Sequence, residues 1–274
     1  MFSHYLLTRF NVVHQGLNQY ALEQRGSVVQ TEQWLSCRFD LFDKYCFPSV
    51  NQQSNKNFTW LVFFNIETPE KYKSKIQEYA KRCPMFRPIY VEPEGDETQK
   101  AIQYIKKDTS SKYVITTRLD NDDMIHRDLI SYISSHCPPP RTTYTDVNIF
   151  LCFRWGYQYD TQRKILLKHA DDFNHFESRL ETIDNLQTVW VKNDRHDLVN
   201  LYGDIQIISP IDVSNKQYPG MWIEVIHNCN VTNNTGKGKP MWIRKEHFSK
   251  QLKINPFMQL LYQLRHSFTQ RFIR

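Results

Sequence analysis

Short apolar runs alternate with stretches of helical periodicity along the first half of the chain. Four runs rich in β-branched and aromatic residues predict strands: YLLTRF, FTWLVFFNI, RPIYVE and YVITTRL, at residues 5–10, 58–66, 87–92 and 113–119. Helices are predicted between them, one capped by Thr31 and ending near Pro48, one capped by Thr68, and one over residues 96–108. This order is typical of a mostly parallel sheet covered by helices, and such sheets bind ligands at the carboxyl ends of their strands.

The pattern changes after the proline-rich segment CPPPR at residues 137–141. From there the predicted strands are longer and less regular, in the segments DVNIFLCFRWGYQY, KILLKH, QTVWV, IQIIS and MWIEVIH. We interpret this half as the part that shapes the binding of a second substrate. The change of pattern is too weak to mark a separate domain.

The segment NPFMQLLYQLRHSFTQRFIR, at residues 255–274, has the periodicity of an amphipathic helix. Its apolar positions share one helical face: Phe257, Leu260, Leu261, Leu264, Phe268 and Phe272. Arg265, His266 and Arg271 lie beside or opposite that face. The helix is expected either to dock on the domain or to contact an anionic membrane surface, and we slightly favour the membrane.

Composition and charge exclude several classes of protein. Hydrophobic residues make up 40% of the 274 positions and charged residues 23%, as in an ordinary globular protein. The net charge is +6, but the part from Lys237 onward carries nine basic residues and one acid, so the body is slightly acidic. A nucleic-acid partner is therefore not expected. The six cysteines form no C-x-x-C pair and predict reduced thiols, and no segment resembles a signal peptide or a membrane span, so we expect a cytoplasmic protein.

Three carboxylates follow the last strand of the first half, in the segment YVITTRLDNDDMIH. In an extended chain Asp120 and Asp122 point the same way, with Cα atoms about 7 Å apart. Such a pair repels unless a cation lies between the carboxylates, and hard oxygen ligands select Mg²⁺ or Mn²⁺ together with substrate phosphates. A solvated turn that caps the next helix is the alternative. The position at the ligand-binding edge of the sheet favours the metal site.

Several segments together resemble a known family: TRFN at residues 8–11, WLSCRFDLFDKYCFPSV, FTWLVFFN, TTRLDNDDMIH and MWIEVIHNCNV. They resemble the rhamnosyltransferase family of GT-A-type glycosyltransferases. The resemblance implies a GT-A-like α/β fold, with a mixed, mostly parallel central sheet flanked by helices. The resemblance covers roughly residues 4–234. We expect a glycosyltransferase domain over residues 1–244, comprising a nucleotide-sugar-binding half (1–136) and an acceptor-side half (137–244), followed by the basic amphipathic tail (245–274).

The same resemblance implies Mn²⁺ or Mg²⁺ and a nucleotide-sugar donor such as dTDP- or UDP-rhamnose. The acceptor would be a glycan or lipid-linked glycan of surface polysaccharide synthesis. In the D-x-D element, Asp122 would ligate the metal, and His227 resembles the late histidine that completes the site. The expected donor-binding residues are Thr8, Arg9, Asn11, Asn65, Arg118, Asp120 and Asp123. Asn65 stands where many relatives have an acid, which leaves base selectivity open.

An inverting enzyme also needs a base on the opposite face of the donor sugar. The candidates are Asp171, Asp172, Glu181, Asp194 and His196. We favour Asp194 or His196, in the segment KNDRHD, because it follows the predicted strand TVWV. Two other functions remain open: a nucleotidyltransferase that uses the same carboxylates, and a non-catalytic sugar-binding protein.

Overall fold

The computed structural model describes residues 2–12, 31–93, 95–137, 147–172, 174–190, 205–208, 220–228, 236 and 238–272. The strands are β1 (Phe2–Arg9), β2 (Thr59–Asn65), β3 (Phe86–Val91), β4 (Tyr113–Arg118), β5 (Met124–Ile125), β6 (Asn148–Phe153), β7 (Trp155–Asp160), β8 (Ile165–Ala170), β9 (Ser178–Thr182), β10 (Ile205–Ile208) and β11 (Trp222–Ile226). The α-helices are α1 (Glu32–Leu41), α2 (Phe47–Asn51), α3 (Glu70–Arg82), α4 (Glu97–Asp108), α5 (Leu129–His136) and α6 (Pro256–Phe272). A π-helical turn (Phe42–Cys46) joins α1 to α2.

A seven-stranded mixed sheet forms the centre of the molecule, with the strand order β10-β6-β9-β4-β1-β2-β3. The pairs β1–β2, β2–β3, β1–β4 and β6–β10 are parallel, whereas β9 runs antiparallel to both β4 and β6. The predicted fold class, a mostly parallel sheet with flanking helices, is confirmed. Strands from both halves of the chain share this sheet, and the proposed boundaries within it remain predictions.

A second sheet has four strands in the order β5-β11-β7-β8. Its short strand β5 begins directly after the Asp cluster, so the loop between β4 and β5 connects the two sheets. β11 pairs with β5 on one side and with β7 on the other. The acidic loop is therefore held between a central strand and the second sheet.

Strand β2 shows why an uninterrupted apolar run was needed. Trp60, Val62 and Phe64 pack in a large cluster with α1, the π-helical turn and α3, whereas Leu61 and Phe63 pack in a second cluster with α4. All five side chains are fully buried, because helices cover both faces of the sheet. A third cluster lies under the second sheet.

Local hydrogen bonds correct two of the predicted helix boundaries. Thr31 caps α1 through its hydroxyl oxygen, as expected, but Thr68 does not cap α3 and instead donates to the carbonyl oxygen of Asn65. The first helical segment does not end near Pro48. It continues through the π-helical turn, and Pro48 lies in the first turn of α2, where its missing N–H is tolerated.

The predicted strand in QTVWV is absent over residues 187–190, the part of that segment that the structure describes. Thr188 has a φ of 69°, which is incompatible with a strand. The N–H groups of Gln187 and Thr188 instead donate to the two carboxylate oxygens of Glu181, each at 3.0 Å. A side chain thus replaces the neighbouring strand as the hydrogen-bonding partner of this loop.

The cysteine prediction is partly wrong. Cys46, Cys83, Cys137 and Cys152 are buried thiols, as expected, but Cys37 is disulfide-bonded. Helix α6 confirms the predicted C-terminal helix. None of the helices within the described ranges is long and apolar enough to cross a membrane.

Candidate active site

The Asp cluster lies at the carboxyl ends of β1 and β4, which are neighbouring parallel strands. Asn121 fixes the loop to the end of β1, because its Nδ2 donates to the carbonyl oxygens of Arg9 (3.0 Å) and Phe10 (2.9 Å). A backbone turn between Asp120 and Asp123 closes the loop. The middle residue of the D-N-D element therefore holds the backbone, and the acids on either side are left for other contacts.

Asp122 is buried and has two partners on one oxygen. Its Oδ2 lies 2.6 Å from Nη1 of Arg38 and 2.7 Å from Nε2 of His227. Burial acts to raise the pKa of Asp122, but the charge of Arg38 and the hydrogen bond from His227 outweigh it and lower the pKa. The structure thus brings the two predicted metal ligands, Asp122 and His227, into direct contact, together with an arginine from α1.

Asp123 is 3% exposed and contacts a histidine that the sequence analysis did not select. Its Oδ2 lies 2.8 Å from Nε2 of His175, and its Oδ1 accepts the N–H of Val225 at 2.8 Å. Burial, followed by the negative charge of Asp122, raises the pKa of Asp123 to about 7. Burial lowers the pKa of His175, but its hydrogen bond to Asp123 more than offsets that effect, so the pKa is raised.

Asp120 is the most accessible acid of the three, with 41% of its side chain exposed. Arg118 approaches it with two nitrogens, Nε at 3.2 Å and Nη2 at 3.1 Å. Burial raises the pKa of Asp120, but the charges of Arg118 and His175 lower it well below the usual range. Asp120 is therefore ionised and partly open to solvent.

Three of these groups converge closely enough to hold a cation. One ligand atom each from Asp120, Asp123 and His175 lies within 4.8 Å of the others. The two carboxylate oxygens suit Mn²⁺ or Mg²⁺, with water and phosphate in the remaining positions, and the imidazole nitrogen favours a transition-metal ion such as Mn²⁺ over Mg²⁺. The donor set therefore fits the metal that the resemblance implies.

Aromatic packing positions His175. Trp222 is 1% exposed, its Nε1 donates to the carbonyl oxygen of Phe153 at 2.6 Å, and Phe176 stacks on its indole at 4.9 Å. A Cβ at Gly156 would lie 2.1 Å from the Trp222 ring, so only glycine allows this approach. Trp222 is therefore a packing residue, and it supports the backbone next to His175.

The predicted donor residues at the ends of β1 and β2 are engaged within the fold. Thr8 is fully buried and accepts the indole N–H of Trp60 at 2.9 Å. Asn11 is also fully buried, and its Oδ1 accepts the N–H of Asn65 at 3.1 Å. Asn65 in turn accepts the N–H of Glu67 at 2.7 Å. These contacts order the sheet edge, and the donor-binding roles of the three residues remain predictions.

Arg9, also predicted to bind the sugar donor, contacts both a buried carboxylate and an aromatic ring. Its Nε donates to the buried carboxylate of Glu97 at 2.8 Å, and its guanidinium lies 4.2 Å from the centre of the Trp190 ring. Its Nη2 is buried and has no hydrogen-bond partner among the described residues. Arg9 thus keeps one donor group for a ligand close to Arg118 and Asp120.

The candidate bases are not brought together by the described structure. Asp194 and His196 lie outside the described residues. Glu181 uses both carboxylate oxygens to hold the 187–188 loop, and Asp172 pairs with Arg154 at 3.2 Å. His175 was missed because it lies 52 residues from Asp123 in a polar segment without any motif.

A family model described as "Putative rhamnosyl transferase" matches residues 3–240. The chain belongs to this family. The predicted family and the predicted enzyme class, a glycosyltransferase, are thus confirmed at the level of the family. A search of curated proteins found no match.

Solved structures with a similar arrangement are distant in sequence. S. aureus TarS 1–349 in complex with UDP is 8% identical, with a TM-score of 0.43, covering 82% of this chain and 61% of that one. HddC from Yersinia pseudotuberculosis is 10% identical, with a TM-score of 0.36, covering 76% of this chain and 90% of that one. The chain spans 60% of the length of the uncomplexed TarS 1–349 structure, which it matches with 8% identity and a TM-score of 0.41.

Proposed function

We propose that this member of the family transfers L-rhamnose or another deoxyhexose from a nucleoside diphosphate donor to a glycan acceptor, with inversion. The observation that carries the proposal is the convergence of Asp120, Asp123 and His175 beside Arg118, at the carboxyl ends of β1 and β4. A cation site next to arginines suits a sugar diphosphate, because both the metal and the guanidinium groups bind phosphate oxygens.

Two sets of residues are candidates for the metal. We favour Asp120, Asp123 and His175, because one ligand atom from each already lies within 4.8 Å of the others. The set predicted from sequence, Asp122 with His227, is the alternative. When bound, Mn²⁺ or Mg²⁺ would stabilise the negative charge that develops on the departing nucleoside diphosphate.

The chain's own residues would orient the donor around that cation. Arg118 would bind a phosphate oxygen while its pairing with Asp120 keeps that carboxylate ionised. Arg9 would offer its unpaired Nη2 to the nucleotide, held in place by Glu97 and Trp190. Arg38 would balance the charge of Asp122, so that three neighbouring acids can remain in one loop.

The acceptor hydroxyl must lose a proton on the face of the sugar opposite the leaving group. Asp194 and His196 remain the candidates for this base. One of the two variants Asp194→Asn and His196→Ala is expected to abolish transfer but to leave donor binding intact, and that variant would identify the base. If both variants transferred the sugar at the wild-type rate, the base would have to be sought elsewhere.

The class of reaction can be tested with dTDP-rhamnose and UDP-rhamnose in the presence of Mn²⁺. We expect release of a nucleoside diphosphate, and we expect Asp123→Asn to abolish it, whereas Asp40→Asn, at an exposed position on α1, should behave as wild type. Pyrophosphate as the product would indicate a nucleotidyltransferase instead. Absence of nucleotide-sugar binding with metal present would favour a sugar-binding protein.

The metal set can be tested separately, by calorimetric titration of Mn²⁺ into protein without donor. His175→Ala should weaken Mn²⁺ binding at least about tenfold, and His227→Ala should have the smaller effect. The reverse order would assign the metal to Asp122 and His227.

We further propose that the acceptor is a lipid-linked or surface glycan, which would place the protein at the cytoplasmic face of a membrane.

A further inference from the structure

Helix α6 exposes three large apolar side chains on one side. Phe257 is 73% exposed, Leu260 53% and Leu264 52%. Their spacing of three and four residues puts them on one stripe of the helix, which we call the apolar face of α6. Within the described ranges, the other exposed large hydrophobic side chains are Trp242, at 53%, and Ile66, at 43%. An apolar stripe open to water indicates a contact surface.

A polar anchor fixes the orientation of this face. Gln259 is fully buried, its Oε1 accepts the N–H of Leu166 at 3.0 Å, and its Nε2 donates to the carbonyl oxygens of Leu166 and Met241, each at 2.8 Å. Gln259 lies on the opposite side of the helix from the three apolar residues. Because β8 and the segment after β11 hold that side, α6 cannot rotate to bury its apolar face.

The charged residues of the C-terminal segment that contains α6 are almost all positive. Exposed basic side chains precede α6 and follow Leu264: Arg244, Lys245, Lys250, Lys253 and Arg265. Glu246 is the single acid from residue 238 to residue 274. Packing two copies of the chain through this face would bring like charges together, whereas an anionic surface would complement them.

We propose that the apolar face of α6 docks on the surface of an anionic lipid bilayer. The three side chains expose on the order of 300 Å² of apolar surface, well below the roughly 800 Å² per partner of a stable protein interface. A bilayer needs no matching groove, and basic residues near an inserted apolar face strengthen its binding. The proposal does not depend on which reaction the enzyme catalyses.

Trp242 supplies a second, independent observation. It is 53% exposed and follows Met241, whose carbonyl oxygen accepts the hydrogen bond from Gln259. Tryptophan is enriched where membrane surfaces meet water. An exposed tryptophan next to the anchor of α6 is therefore expected to lie at the level of the lipid headgroups when the apolar face inserts.

The test is co-sedimentation of the full chain with vesicles of phosphatidylcholine alone or mixed with phosphatidylglycerol. The wild type should bind the anionic vesicles and dissociate as salt is raised. The double variant Leu260→Gln, Leu264→Gln should bind at least about tenfold more weakly, because half-exposed leucines contribute to insertion but little to the core. Ile66→Gln, at an exposed apolar position outside α6, is the matched control and should bind as wild type.

A second measurement removes any dependence on folding of the double variant. Brominated lipids should quench the fluorescence of the wild type, and the conservative variant Trp242→Phe should lose that quenching. Failure of the wild type to bind anionic vesicles, or equal binding to neutral vesicles, would overturn the proposal. A dimer in light scattering that Leu260→Gln, Leu264→Gln dissociates, without vesicle binding, would instead assign the face to a second copy of the chain.

Discussion

Replacing Asp123 by asparagine should change how the stability of the metal-free protein depends on pH. Burial, followed by the charge of Asp122, raises the pKa of Asp123 from 3.8 to about 7, and the pKa of His175 is also raised. Both groups therefore bind protons more tightly in the folded protein than in the unfolded chain. The stability that these two groups contribute is fully present below pH 4 and is lost as the pH rises through 7.

The size of this effect follows from the shift. A rise from 3.8 to about 7 corresponds to about 4 kcal/mol, at 1.36 kcal/mol for each pH unit. Because Asp123 lies in hydrogen-bonding contact with His175, whose pKa is also raised, we expect about 2–4 kcal/mol. The amide introduced by Asp123→Asn carries no charge that burial could penalise, and its Oδ1 could still accept the N–H of Val225. Between pH 5 and pH 8 the variant should therefore gain stability relative to the wild type.

Other buried groups change stability in the opposite direction. Burial lowers the pKa of His126 to about 4 and that of His4 to about 3, so both destabilise the fold as the pH falls below 6.5. These contributions are common to the wild type and to Asp123→Asn. The difference between the two proteins isolates the contribution of Asp123 and its partner.

The assay is urea unfolding followed by tryptophan fluorescence, in the presence of a chelator, at pH values from 5 to 8. Asp40→Asn is the control for a change of net charge, because Asp40 is largely exposed on α1, and this variant is expected to unfold as the wild type does. A difference between Asp123→Asn and wild type that is constant with pH, or that decreases as the pH rises, would refute the reasoning.

The remaining predictions concern the supports of the site. Asn121→Ala should lower the free energy of unfolding by about 1–3 kcal/mol in urea titrations, because two carbonyl oxygens lose their hydrogen-bond donor. A wild-type value would mean that the Asn121 side chain does not stabilise the loop. Arg38→Ala should cost about 3 kcal/mol by the same measurement, since it leaves Asp122 buried without its cation; an unchanged midpoint would contradict this. Gly156→Ala should cost about 1–3 kcal/mol, because its Cβ overlaps Trp222; an unchanged melting temperature would show that the indole can move.

The local sequence pattern was sufficient to predict a strand or helix where the side chains of that element alone determine its conformation. The strands β1 to β4 and the helices between them were predicted from their apolar runs and helical periodicity, and Thr31 caps the first helix as expected. The Asp cluster was also found, since three acids directly after a buried strand are visible without any contact information. The predicted helix cap at Thr68 was wrong, because the Thr68 hydroxyl accepts a hydrogen bond from Asn11 and donates one to the carbonyl oxygen of Asn65.

Long-range contacts decided the rest of the sheet. Strand β9 was not predicted, because SRLET contains Arg179 and Glu181, which look like surface residues in sequence. Both are 2% exposed, and they pair with each other at 3.2 Å. The strand exists because β4 and β6 hydrogen-bond to it from both sides. No local propensity could indicate that placement.

The sequence by itself determined that three carboxylates stand at the ligand-binding edge of an α/β sheet, because burial of β4 and charge after it are properties of adjacent residues. Only the tertiary structure decided their partners. Arg38, His175 and His227 come from three distant segments, and each contacts its acid at a distance of 2.6 to 2.8 Å. Electrostatic energies between charges fall with distance in space and not along the chain, so the chemistry of this site follows from its packing.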